Sequence, residues 1–283
     1  IPQSFIWDEI VSHLHKIHIV EKGNSEMMSD LERATRIITL EPRINRIELG
    51  MTFIDAIKKT LKEVQIPMES LRGVFVTHDH ADHIKAVGHL GEKLHIPVYT
   101  TARIHEGINK SYCMTEKLCH SVRYLEKEAP MQLEDFRITS FEVPHDGTDN
   151  VGYCVEIDGK TFSFATDLGE ITPTAAHYIS KANYLIIEAN YDEEMLKMGP
   201  YPAYLKERIS GSTGHMCNMD TAEFLAENIS EHLKYIWLCH LSKDNNHPEL
   251  AYKTIEWKLR SKGIIAGKDV QLAALKRSTP SEV

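Results

Sequence analysis

The sequence has no apolar run near the roughly 20 residues that a membrane span requires, so no membrane partner is expected. Its start lacks a basic stretch followed by an apolar block, so no secretory signal is expected either. Positive charge is scarce: 32 Lys and Arg against 41 Asp and Glu leave a formal net charge of −9. That argues against a broad basic surface for nucleic acid, while leaving room for a local one. Cysteines are few and odd in number, at positions 113, 119, 154, 217 and 239, and no two stand as C-x-x-C. This count argues against a disulfide framework and against a cysteine zinc knuckle. A reducing cytoplasm suits such a set of thiols. Repeats and low-complexity stretches are missing as well.

Histidine, by contrast, is abundant. There are 16 in 283 residues, several in short clusters, and such clusters are the usual raw material of metal sites. Hydrophobic residues at 42% and charged residues at 26% are ordinary for a globular chain. The oligomeric state is not readable from these numbers.

Residues 1–50 read differently from the rest. Ile6, Ile10, Leu14 and Ile17 recur at helical spacing. Ser29 with Glu32 forms a capping box that predicts a second short helix through Leu31, Ala34 and Ile38, closed by Pro42. The expected organisation is therefore an atypical, helical segment over 1–50 and a single larger domain over 51–283. His13, His15 and His18 fall on the first helix and read as surface residues.

From Ile54 onward helices and strands alternate. Ile54, Ile57, Leu61 and Val64 make one helical stripe, and Gly73 to Thr77 a short buried strand. Ile84, Val87, Leu90 and Leu94 predict a helix, and Pro97 to Thr100 another strand. The alternation Val151, Tyr153, Val155, Ile157, then Asp158-Gly159, then Lys160 to Ala165 signals a hairpin. Tyr184–Glu188 and Tyr235–Cys239 read as buried strands. Asn218 is placed to cap a helix carrying Ala222, Leu225, Ala226 and Ile229, and Pro248 to open one with Ala251, Ile255 and Leu259 on one face. A hairpin mixed with strand–helix units points to an α/β layered fold with helices outside the sheets.

The chemistry concentrates in Thr77-His78-Asp79-His80-Ala81-Asp82-His83. His78 and His80 stand two apart just after a strand, so in an extended chain both rings point one way. Asp82 and His83 follow on the turn into a helix. Four ligand candidates within six residues can supply parts of two neighbouring cation sites, and imidazole with carboxylate suits zinc, manganese or iron.

A His-x-His-x-Asp-His stretch after a strand resembles the signature of the metallo-β-lactamase superfamily. The likeness continues in Val143-Pro144-His145-Asp146, Thr166-Asp167-Leu168-Gly169 and Leu238-Cys239-His240-Leu241-Ser242. Glu188 to Leu196, Gly214 to Asn218 and His240 to Asn246 narrow it to the bacterial YycJ/WalJ/VicX-type branch, covering residues from about 54 to the C-terminus. The resemblance implies an αββα sandwich with two mixed sheets and outer helices. It implies two divalent metals, zinc or manganese with iron also suitable. His78, His80 and His145 would hold one; Asp82, His83 and His240 the other; Asp167 would bridge. A hydroxide between the metals would be the nucleophile, since a bound divalent ion lowers the pKa of water to about 7. Gly214-His215 is similar to a segment of ribonuclease Z whose histidine serves the leaving group, so Asp82, Asp167 and His215 form the implied catalytic set.

Glu188, Asn190 and Asp192 follow a buried strand, either as partners for the second ring nitrogen of the histidines or as a solvated loop. Ser242, Asp244 and Asn245 either bind phosphate or cap the next helix, capping being the cheaper explanation. The family's opening hairpin, with its Ser-Gly-Ser-Ser-Gly-Asn loop, has no counterpart in residues 1–50. Ile47-Glu48-Leu49-Gly50 stands where an Asp-x-Gly motif is usual, with Glu48 in place of the aspartate.

Three functions compete on this reading. The first is a nuclease, a 5′-to-3′ DNA exonuclease by resemblance, with Lys206, Arg208, Lys243 and Lys258 as the local cations for phosphate. The second is a small-molecule thioesterase or lactonase on the same fold, since a fold alone does not choose a substrate. The third is a metal-binding protein without catalysis.

Overall fold

The computed structural model describes residues 66–275, the short strand Ile37–Thr39, and positions 54, 57, 58, 61 and 62. The helix expected through Ile6 to Ile17, its histidines, the capping box at Ser29 and Glu32, and Glu48 lie outside the described residues. Two compact units divide the chain. Among the described residues the first extends to Glu126 and includes Gly147–Asp149; the second comprises Lys127–Asp146 and the chain from Asn150 onward.

The first unit carries β1 (Ile37–Thr39), β2 (Gly73–Phe75), a short helix α1 (Ala81–Ile84), β3 (Val98–Thr100), α2 (Ala102–Lys110) and β4 (Val122–Tyr124). The strands pair in the order β1-β2-β3-β4, and every described pairing is parallel. Parallel strands are covered on both faces and so read as unbroken apolar runs; Val74, Phe75 and Val76 are all buried. Ile38 was expected in a helix. It lies in a strand instead, opposite Val74. The run Ile37-Ile38-Thr39 is β-branched throughout, which favours the extended chain. Ile54, Ile57 and Leu61 are helical and buried, as their spacing predicts.

The helix expected through Ile84, Val87 and Leu90 is broken. After α1 the chain makes a turn and then a π-helical stretch, His89–Lys93. Gly88 and Gly91 fall in this region, and glycine weakens a regular helix. All three apolar residues are nonetheless fully buried.

The second unit opens with a meander: β5 (Met131–Leu133), β6 (Phe136–Glu142), β7 (Val151–Ile157) and β8 (Lys160–Ala165). Asp158 and Gly159 both have positive φ, 47° and 71°. That is the tight hairpin turn their dipeptide predicts. Then come α3 (Pro173–Ser180), β9 (Tyr184–Glu188), α4 (Glu193–Met198), α5 (Ala203–Ser210), α6 (Asn218–Asn228), β10 (Tyr235–Cys239), α7 (Pro248–Ser261) and β11 (Gln271–Ala274). The seven-stranded sheet is mixed, antiparallel from β5 to β8 and parallel from β8 to β11.

Strand alternation sorts this sheet's residues. Leu185, Ile187, Ile236 and Leu238 pack with Ala175 and Ile179 of α3, Ala222 and Leu225 of α6, and Ala251, Ile255 and Leu259 of α7. Each fully buried Leu or Ile of this set contributes about 1.5–3 kcal/mol. Because β8, β9 and β10 run parallel, their carboxyl ends fall on one edge of the sheet. Ligands gather at that edge in open α/β sheets.

The cap of α6 differs from expectation. The Cys217 thiol, not Asn218, takes the backbone N–H of Asp220 at 3.2 Å. Asn218 is fully engaged elsewhere, in a reciprocal amide pair with Asn246. No helix among the described residues is long and apolar enough to cross a membrane.

Candidate metal centre

In the first unit the histidine cluster sits where the sequence predicts, on the turn from β2 into α1. His78 and His83 are buried. The His78 ring lies 4.6 Å from that of His80 and 4.0 Å from that of His83, centroid to centroid. Nδ1 of His78 lies 3.1 Å from the Thr77 hydroxyl. Asp82 stands in the first turn of α1, with a carboxylate oxygen 3.8 Å from Nε2 of His83.

In the second unit the donors come from separate strand ends. His145 follows β6, Asp167 follows β8, Glu188 ends β9 and His240 follows β10. Nε2 of His240 lies 2.9 Å from Asp167 Oδ1, and Nε2 of His145 lies 3.8 Å from the same oxygen. The other nitrogen of each ring is occupied. Nδ1 of His145 donates to the Gly214 carbonyl at 2.9 Å, and Nδ1 of His240 pairs with Glu188 Oε1.

A histidine that donates from Nδ1 holds the tautomer whose Nε2 carries a lone pair. Both rings thus turn a basic nitrogen toward one carboxylate oxygen, which is the donor chemistry a divalent cation takes. Asp167, Glu188, His215 and His240 have ligand atoms within 4.8 Å of one another. Groups able to hold a metal are therefore present, and their donors fit one.

Residues 52–236 match the beta-lactamase superfamily domain. The chain belongs to the metallo-β-lactamase superfamily. It is 32% identical over 231 residues to exodeoxyribonuclease YycJ of Bacillus anthracis, an alignment covering 81% of this chain and 86% of that protein. Exodeoxyribonuclease WalJ of Streptococcus pneumoniae is 32% identical over 216 residues, covering 76% of this chain and 80% of WalJ. Two solved structures share the fold. Zn(2+)-bound PqqB from Methylobacterium extorquens has a TM-score of 0.58 at 16% identity, covering 84% of this chain and 81% of its own. The metallo-β-lactamase fold protein YhfI from Bacillus subtilis has a TM-score of 0.53 at 19% identity, covering 77% and 80%.

Within this metallo-β-lactamase framework Glu188 ties several groups of the second unit together. It is completely buried. It accepts from Nδ1 of His215 at 2.9 Å, from the His240 ring, and from the backbone N–H of Leu168 at 3.0 Å and Met216 at 3.3 Å. Burial pushes its carboxyl up, but the His215 and His240 rings and their hydrogen bonds outweigh that and hold it at about 2. The His215 ring packs between those of His145 and His240, with centroids 4.9 and 5.0 Å away.

Asp167 and His240 both have left-handed backbones, with φ of 53° and 57°. Such a conformation persists only where neighbours enforce it. Beside Asp167, the Gly169 N–H donates to the Pro144 carbonyl at 2.9 Å, while Leu168 is fixed by Glu188. At His240, the Asn190 amide donates to the backbone carbonyl at 2.6 Å.

Of the remaining expected residues, Asn190 joins this cluster and the others do not. Asp192 caps α4 by accepting from the Met195 N–H at 3.0 Å. The Ser242 hydroxyl accepts from the Asn245 N–H at 3.3 Å within a local turn. Asp244 is exposed and accepts from the Tyr201 hydroxyl at 2.8 Å. Asp192 is therefore a helix cap, a role outside the two expected for it, and the helix after Ser242 is capped by His247 rather than by Ser242, Asp244 or Asn245.

Sequence reasoning missed Asn246. Its buried amide donates to the carbonyls of Ala189 at 2.8 Å and Asn190 at 3.0 Å, and its carbonyl accepts from Asn218. Thr221 was also missed; its hydroxyl donates to the Glu188 carbonyl at 2.8 Å. The available signal was the polar run Asn245-Asn246 right after a buried strand, a place where an amide has backbone to satisfy.

Proposed function

We propose that residues 51–283 form a binuclear metallohydrolase that cleaves phosphodiester bonds, acting on DNA from the 5′ end. The observation that carries this is the pair of histidines, His145 and His240, facing one carboxylate oxygen of Asp167. Two relatives named exodeoxyribonucleases, each 32% identical across most of its length, support the DNA substrate. On this reading His78, His80 and His145 would hold one divalent ion, Asp82, His83 and His240 would hold the other, and Asp167 would serve both. Zinc and manganese suit these donors, and iron does as well. When bound, such ions make hydroxide available at neutral pH and neutralise charge on the scissile phosphate.

The chain's own residues supply the rest. Glu188 holds the Nδ1–H of His215 and so leaves Nε2 to manage a proton. At 13% side-chain exposure that ring remains accessible to substrate. In this role it protonates the departing 3′ oxygen. Glu188 and Gly214 orient the rings of His240 and His145, so little reorganisation accompanies binding. The five cysteines form no disulfide, which suits a cytoplasmic setting.

The test is digestion of 5′-end-labelled single- and double-stranded DNA with manganese or zinc, alongside measurement of bound metal. Nucleotide release from the 5′ end is expected. Metal-loaded protein that leaves both substrates intact would overturn the reading. His215→Ala should lower kcat about 10²-fold while metal content stays at the wild-type level.

A further inference from the structure

α2 carries a glycine in its interior, where glycine disfavours a helix relative to alanine. Gly107 is buried, and its local setting explains it. A methyl group there would lie 1.9 Å from Asp79 Oδ2 and 2.9 Å from the Thr148 hydroxyl. No side chain other than hydrogen leaves space for that pair. Asp79 is the residue between His78 and His80, and none of the roles assigned above falls to it.

Its carboxylate is held twice by one residue. The Thr148 backbone N–H donates to Oδ1 at 3.0 Å, and the Thr148 hydroxyl donates to Oδ2. The loop around Thr148 is pinned separately. Asp149 accepts from the Thr101 hydroxyl at 2.7 Å. That same Thr101 oxygen caps α2 by accepting from the Ile104 N–H at 3.2 Å. That fastening runs to the cap of α2, while Thr148 grips Asp79.

We propose that Asp79 is a positioning residue. Fixed by Thr148 and given space by Gly107, it sets the backbone between His78 and His80 so that both rings keep one orientation. In an extended chain the middle residue of a His-x-His unit points away from its neighbours. Anchoring it fixes the rotation of the whole unit without touching either imidazole. This rests on the proposal that His78 and His80 are metal ligands. It adds a support that acts through the backbone, where Thr77 acts on the ring of His78 itself.

Zinc affinity tests it, measured by competition with a chromophoric chelator on the intact protein, beside thermal melts without metal. Thr148→Val removes the hydroxyl bond from an exposed loop and should weaken zinc binding about tenfold, the lower end of the effect of removing a group that orients ligands. Thr148→Ser keeps that bond and should restore wild-type affinity. Gly107→Ala improves the helix but displaces Asp79, so it should weaken zinc binding without a parallel drop in melting temperature. Zinc bound by Thr148→Val and Gly107→Ala as tightly as by the wild type would overturn the role of Asp79 and leave the metal centre standing. A wild type that takes up no zinc would overturn the metal centre itself, and this inference with it.

Discussion

The two units assemble donors in opposite ways. In the first, His78, His80, Asp82 and His83 come from a single turn of six residues, and their mutual geometry follows from one stretch of backbone. In the second, His145, Asp167, Glu188 and His240 come from four strand ends up to 95 positions apart in the chain, and only the sheet brings them together. The contiguous turn needs a local brace, and the gathered cluster needs a shared one. Glu188 is that shared brace. It serves two rings and two backbone amides at once, whereas the Thr77 hydroxyl lies beside one ring only.

The contrast predicts unequal sensitivity. Asp167 lies beside two histidines and, on the proposed reading, serves both ions, whereas Asp82 serves one. Asp167→Ala should therefore lower kcat on DNA by at least about 10³-fold, and Asp82→Ala by less. Equal losses, measured at saturating manganese, would break the comparison at its strongest point.

Glu188→Ala comes next. It strands two histidines and two amides in a buried site, so it should cost about 3–5 kcal/mol in urea unfolding. The same group shapes acid stability. Its folded pKa of about 2 lies below the ordinary 4.5. Its contribution is thus complete above pH 4.5 and is lost as the pH falls from there through about 2. Glu188→Gln should flatten the acid limb in that window. An unchanged limb would show that the carboxylate is not the brace proposed.

Asn246→Ala should be milder, about 1–3 kcal/mol by the same measurement, since it removes the side-chain donor to the Ala189 carbonyl and one of two donors to the Asn190 carbonyl. Its value sharpens the comparison. A loss of metal affinity without a stability change would extend the bracing of the gathered cluster one layer beyond Glu188.

What the sequence revealed follows the same division. The His78–His83 turn was legible because spacing alone defines it. The hairpin through Asp158-Gly159 was legible because the turn demands those residues. Single histidines such as His145 and His240 carried no signal of their own and were assigned through the order of motifs. The partners of Asn246 and Thr221 were not legible, because they are backbone atoms more than 30 positions away. Ile38, expected in a helix, lies in a strand for a different reason: the β-branched run Ile37-Ile38-Thr39 favours the extended chain and pairs with a buried strand.

The left-handed backbone at Asp167 and His240 restricts the alphabet before any chemistry is chosen. Glycine, asparagine, aspartate and histidine tolerate that conformation best. Of these four, only aspartate and histidine offer a strong metal donor. A lineage abandoning hydrolysis would therefore meet asparagine at 167 as the gentlest exit, since it preserves the shape and the turn while removing the charge.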